Sequence, residues 1–302
     1  MVRGGDDGLL TLAAGPLALT LSPRIGGSIA RFEYVRGDDR FPILRGCEGE
    51  PDDVLAMGSF PLVPYVNRIR DGEFRFRDRL VRLAPNMAGD PSPLHGQGWL
   101  GAWQVLEAGG NEAVLRFEHE PGEWPWAYVA EQRFKLRDDG LELSLNCTNR
   151  SPDPMPCGLG QHPYFHCGPA TRIETEVSHV WLIDEKVLPT EKVVAAGRYD
   201  LSDAAVCGMG LDHGFGGWVG TARLSDPEWS FALEMRSPDA AFFQLYSPAS
   251  GRLFVAEPVT HANAALNAPE SEWAELGMTV LETGQSKSLT MHMEVRELEA
   301  GQ

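Results

Sequence analysis

The sequence predicts an all-β chain built as a large antiparallel β-sandwich with few short helices. Three observations carry that expectation. Apolar and polar residues alternate with a period of two along much of the chain, the repeat of a strand with one face in a core. The 33 glycines and 22 prolines punctuate the chain at short intervals, as turns between many short strands require. No amphipathic run extends beyond about three helical turns. At 302 residues and 43% apolar content the chain is long enough to bury a sizeable core. It has no repeat, low-complexity tract or linker-like stretch, so residues 1–302 read as a single domain.

The elements follow in order. A short helix is expected near Asp52 to Leu55. GEFRFRDRLVRL, starting at Gly72, reads as a hairpin with charged outer faces. In AYVAEQRFKL, Ala130, Gln132, Phe134 and Leu136 share one face, and Glu131, Arg133 and Lys135 the other. Asp138, Asp139 and Gly140 then supply a turn. LELSLNC returns with Leu141, Leu143, Leu145 and Cys147 on one face, completing a second hairpin. SFALEMR directs Phe231, Leu233 and Met235 inward, and SLTMHMEV does the same with Leu289, Met291, Met293 and Val295. A second short helix is expected near His261 to Asn267.

The net charge of −17 and a pI near 4.9 describe a surface that repels phosphate backbones and anionic lipid. Nucleic acid and membrane are therefore excluded as partners, and neutral or cationic ligands are favoured. No run of about 18 apolar residues is present to cross a membrane. The N-terminal MVRGGDDGLL has no apolar h-region of a signal peptide. Five cysteines at low density, without a CxxC pair, read as reduced thiols of a cytoplasmic protein.

Eight histidines sort by setting. His292 lies on an outward strand face, His119 ends a strand-like run and His179 adjoins an apolar stretch, so all three read as structural or solvated. His95, His162, His166, His213 and His261 lie in segments flanked by glycine or proline, where function concentrates. CGLGQHPYFHC gathers Cys157, His162, His166 and Cys167, but its spacing matches neither a zinc finger nor an HExxH helix. No metal or other cofactor is expected. There is no GxSxG elbow for a nucleophilic serine, and IGGSIA completes no phosphate-binding loop. Acid–base chemistry is left, with Glu257 in FVAEPVTHANAALN partnered by His162 or His95. A carboxylate and an imidazole suit proton transfer near neutral pH.

Six motifs in order, NRIRDGEFRF, PLHGQGWLG, GQHPYF, LDHGF, AFFQLY and AEPVTHANAALN, resemble the aldose 1-epimerase (galactose mutarotase) family from Asn67 to Asn267. The resemblance implies a galactose mutarotase-like supersandwich, in agreement with the period-two pattern. It also implies an isomerase that interconverts the α and β anomers of a free aldose. By the same resemblance Glu257 is the general base and His162 the general acid. His95 binds and polarises the sugar, Asp212 and Gln244 hold its hydroxyls, and Asn67 and Arg68 form a substrate-binding pair with the arginine facing the sugar. The expected productive state is an ionised Glu257 beside a protonated His162, because a nearby carboxylate raises an imidazole's pKa. Trp99, Trp103, Trp124 and Trp126 offer a wall for the sugar's apolar face or belong to the core. The chain departs from the family pattern at GLGQ before His162, at Pro163 and at Pro258.

Two further readings stay open. A hexose-6-phosphate mutarotase of the same fold needs extra cations near C6, for which Arg68, Arg70 and Arg24 are the candidates. A non-catalytic sugar-binding module needs neither acid nor base. The expected partner is a small-molecule sugar, and the chain is a monomer or homodimer.

Overall fold

The computed structural model describes residues 8–47 and 53–297, and its strands are antiparallel in every multi-residue ladder. The N-terminal residues used to argue against a signal peptide, Met1 to Asp7, lie outside the described residues. A nine-stranded sheet and an eight-stranded sheet dominate, with a four-stranded sheet formed by residues 10–42 and two small two-stranded ribbons. The helices among the described residues are single 3-10 turns, including Val54–Ala56 and Ala265–Asn267 where short helices are expected.

The alternation in the sequence settles which residues meet. Tyr128–Arg137 pairs with Gly140–Asn149, and Phe134 lies opposite Leu143. Gly140–Asn149 continues onto Ser286–Glu297, where Leu143 faces Met291. The inward residues named above are buried as expected. All but the polar Gln132 join one apolar cluster with Phe243, Leu245, Phe254 and Ala256 of the eight-stranded sheet. Because successive side chains alternate across a strand, burying Phe243 and Leu245 in this core turns Phe242, Gln244 and Tyr246 to the opposite face. That opposite face carries the site. The predicted hairpin forms as Glu73–Phe76 and Arg79–Arg82, with Phe74 and Phe76 packed on Trp124 and Trp126.

One expectation is corrected. Cys167 and Cys207 form a disulfide across a sequence separation of 40 residues, with Cα atoms 5.6 Å apart, so the cysteines are not all reduced thiols. No local pattern announces this pair, because only the fold brings the end of Tyr164–His166 beside the segment preceding Leu211–Gly216. Cys47, Cys147 and Cys157 are buried and take no part in this disulfide. Closing a loop of this length restricts the unfolded chain by about 4 kcal/mol on the chain-entropy estimate. A Cys207→Ser variant is therefore expected to unfold at distinctly lower urea than the oxidised protein, and the two should coincide once the latter is reduced. Equal midpoints under oxidising conditions would mean the cross-link contributes nothing.

Candidate active site

The strand Leu253–Val259 is the axis of the site. On one side it pairs with Phe242–Ser247, with Gln244 opposite Glu257. On its other side it pairs with Tyr164–His166 and Gly160–Gln161. The register runs from Gly160 opposite Val259 to Tyr164 opposite Val255 without a shift, which places His162 across from Glu257. Two of the three departures from the expected pattern, Pro163 and Pro258, lie in this gap. Neither has an N–H to give a ladder. The flanking amides turn outward instead: His162 N donates to Phe60 O at 3.0 Å and Tyr164 N to Gly58 O at 2.8 Å.

The result is a cross-strand row of His162, Glu257 and Gln244 on the solvent-side face. His162 Nε2 stands 3.5 Å from Glu257 Oε1, and both side chains are almost fully buried, at 10% and 4% exposure. The His162 ring stacks on Phe60, with centroids 4.4 Å apart, and packs against Tyr164. Its Nδ1 is buried without an acceptor among the described residues.

Three further segments close the walls. Asn67 and His95 both adopt left-handed backbone, with φ of 58° and 59°, a conformation uncommon outside glycine but tolerated by Asn and His. They hold each other there: His95 N donates to Asn67 O, and Asn67 N donates to His95 Nδ1, both at 3.1 Å. The second bond leaves the His95 proton on Nε2. Gly96 follows with φ of 73°, and a Cβ there would lie 2.1 Å from Val63 O, so the glycine of the LHG motif is required by contact as well as by φ. Asn263 and Asn267 explain the asparagines of the C-terminal motif, since their side-chain carbonyls accept the backbone N–H of Arg68 and of Arg70 at 3.1 and 2.7 Å. Asp212, in Leu211–Gly216, accepts from Gln244 Nε2 at 2.7 Å.

All seven residues singled out from the sequence (Glu257, His162, His95, Asp212, Arg68, Asn67 and Gln244) line one cavity of about 280 Å³. Trp99 lines it too, whereas Trp103, Trp124 and Trp126 belong to the core. Arg24 and Arg70 do not reach it. Sequence reasoning missed Phe60, Tyr164 and Tyr246 in the lining, and Asp90, which binds Arg68 from behind at 2.9 Å. Tyr164 was within reach as part of HPYF, but Asp90 lies in a loop with no signal. His261 is structural: it accepts from Val66 N and donates to Ala262 O. His213 is buried against Tyr199 and accepts from Asp212 N, while His166 is exposed. With Cys167 in the disulfide and His162 facing Glu257, the residues of CGLGQHPYFHC do not converge as one set of ligands.

Electrostatics revises one expectation. Burial pushes the Glu257 carboxyl well above the usual carboxylate range, neighbouring Asp212 adds to this, and Arg68 opposes it. Burial pulls His162 down to about 3. The two shifts run toward each other's neutral forms, so the sugar-free pocket favours a protonated Glu257 beside a neutral His162, not the expected ion pair. Desolvation outweighs the attraction between the partners. Asp212 is also raised by burial, against the pull of Arg68. His95 is held well below its ordinary value by burial, then by His162 and Arg68.

These shifts set a stability prediction. His95, His162 and His261, the last lowered to about 4, are neutral in the folded protein while the unfolded chain protonates near 6.5. Their contribution is present above pH 6.5 and is lost as pH falls toward the folded values, at up to about 1.4 kcal/mol per pH unit for each histidine. Glu257 acts in the opposite sense, because its raised value favours folding below its unfolded pKa. Urea unfolding at pH 7, 6 and 5 should show stability falling on acidification, with a shallower fall in His162→Asn. An identical pH slope in the variant would contradict burial of a neutral imidazole.

Comparison with known proteins is consistent across the chain. A sequence model of the family described as aldose 1-epimerase matches residues 9–294. An uncharacterised Escherichia coli K12 protein, YphB, is 33% identical over 301 residues, 96% of this chain and 99% of the relative. The crystal structure of a candidate aldose 1-epimerase from Escherichia coli K12 superposes with a TM-score of 0.87 at 31% identity, covering 96% of this chain and 99% of that one. A galactose mutarotase-like protein from Clostridium acetobutylicum gives 0.83 at 18% identity, covering 96% and 95%, and shows the shared fold.

Proposed function

The chain belongs to the aldose 1-epimerase family, and from that premise we propose that it interconverts the α and β anomers of a free aldose by opening and reclosing the sugar ring. The observation that carries the reading is the His162–Glu257 pair, 3.5 Å apart and facing one cavity. Mutarotation needs one group to take the C1 hydroxyl proton and another to protonate the ring oxygen as the C1–O5 bond breaks. Rotation about C1–C2 then presents the other face of the carbonyl, and the same two groups return their protons in reverse.

Glu257 acts as the base and His162 as the acid. The pair holds one exchangeable proton in either tautomer. This assignment requires only that the proton sit on His162 when the C1 hydroxyl meets Glu257. His95 donates from Nε2 to a sugar oxygen. Arg68, Asn67, Asp212 and Gln244 bind hydroxyls and fix the ring against the pair, which supplies the orientation such transfers depend on. Trp99 and Phe60 offer apolar surface to the C–H face.

The test is direct. The optical rotation of freshly dissolved α-anomers, across glucose, galactose and a panel of pentoses, should decay faster with the protein than without it. No acceleration for any aldose that demonstrably binds would favour a sugar-binding module instead.

A further inference from the structure

Among the described residues Arg68 is the one cationic side chain that lines the cavity. Its charge is already answered from two sides. Nε donates to Asp90 Oδ2 at 2.9 Å, and Nη2 stands 3.7 Å from Asp212 Oδ2. Nη1 donates to Asn67 Oδ1 at 3.1 Å. The Arg68 and Asp90 side chains are only 10% and 8% exposed, so water and salt do little to screen the pair. Asp90 is itself fixed, because its other oxygen accepts Ser92 N–H at 2.8 Å. It stands outside the cavity lining, behind the guanidinium.

An arginine with a free fork is well suited to receive a carboxylate or phosphate, because its planar guanidinium presents two parallel N–H groups with a full positive charge. Here one edge of that fork is taken by Asp90, and Asp212 stands at the far nitrogen. The remaining N–H groups still suit a hydroxyl oxygen, which asks for a hydrogen bond and brings no charge. An anionic substituent would instead meet two carboxylates, Asp90 and Asp212, arranged around a single cation.

We propose that Asp90 determines specificity: by neutralising Arg68 it restricts the site to aldoses without an ionised substituent and rejects uronates and sugar phosphates. Asp90 touches no sugar and acts through Arg68. The inference takes its reaction from the function proposed above, but its charge filter is measurable as binding alone.

The experiment compares matched pairs, glucose with glucuronate and with glucose 6-phosphate, and galactose with galacturonate. Affinity is measured by calorimetry and turnover by anomer-exchange NMR, in wild type and in Asp90→Asn, which keeps the shape and removes the charge. Wild type should favour the neutral member of each pair by about a hundredfold, the scale set by one uncompensated like charge at close range in a partly screened pocket. Asp90→Asn should shrink that preference at least tenfold, chiefly through tighter binding of the anion. Asp90→Ser, which removes the same charge with different packing, should move the preference in the same direction. A wild type that does not favour the neutral member of any pair overturns the proposal. So do variants that weaken both members equally, which would leave Asp90 a merely structural residue. Discrimination between pair members without anomer exchange would sink the mutarotase reading and leave the charge filter standing.

Discussion

Replacing Glu257 by glutamine should lower the turnover number for anomer exchange by about a thousandfold while leaving KM within a few-fold of wild type. Glutamine keeps the shape and the row with Gln244 and His162 but accepts no proton at the C1 hydroxyl. Acid–base groups of this kind contribute roughly 10² to 10⁴ in rate, and a factor of a thousand corresponds to about 4 kcal/mol of barrier. The same change has an opposite effect on stability. Glu257 is held well above its ordinary range by burial, so its contribution to folding is present below the unfolded carboxylate value and is lost as pH rises through the folded one. An uncharged amide escapes that loss. Glu257→Gln should therefore be inactive yet melt higher than wild type at pH 8, with the advantage disappearing near pH 4. Full activity in the variant, measured by polarimetry, would remove Glu257 from the mechanism.

His162→Asn should cost a further large factor, about a hundredfold or more, and the pH profile of the wild type distinguishes the roles. On the proposed mechanism the pair works with one proton shared between its members. A second proton arrives only as pH approaches the value of about 3 to which burial lowers His162. The single proton leaves as pH climbs through the raised Glu257 value. kcat/KM should thus show no imidazole inflection near 6.5, with the acid limb displaced toward the lowered His162 value and the alkaline limb following the raised Glu257 carboxyl. An inflection near 6.5 that vanishes in His162→Asn would mean the imidazole titrates as an ordinary exposed histidine, against its burial.

Much of this arrangement is legible in the sequence because it depends on period-two alternation and on backbone requirements. The inward residues from Ala130 to Leu145 and from Leu289 to Val295 follow from alternation alone, and the same rule puts Gln244 on the face opposite Phe243 and Leu245. Asn67, Arg68, His95 and His162 lie in motifs whose glycines and prolines mark irregular backbone, Asp212, Gln244 and Glu257 lie on regular strands, and all seven converge on one cavity. What escaped was non-local. Asp90 reaches Arg68 across a sequence separation of 22 that includes the whole Glu73–Phe76/Arg79–Arg82 hairpin. Cys167 meets Cys207 through strands that are not neighbours in sequence. The protonation state of the central pair depends on how completely it is dried, and alternation predicts a face but not the depth of a pocket on it.

The interrupted ladder opposite Glu257 has one last consequence. His162 lies between the strands Gly160–Gln161 and Tyr164–His166, opposite Glu257 of Leu253–Val259, and the register is fixed on both sides of that gap, so the separation of the two side chains is set by the spacing of the sheet and not by a long loop or lid. The geometry of the pair has no soft coordinate of its own. Local breathing of surface turns should leave it intact, and it should be lost only with the cooperative melting of the sheet. On heating, catalytic inactivation and the disappearance of β-structure by circular dichroism should then trace a single curve, without the early loss of activity that marks sites assembled from mobile segments.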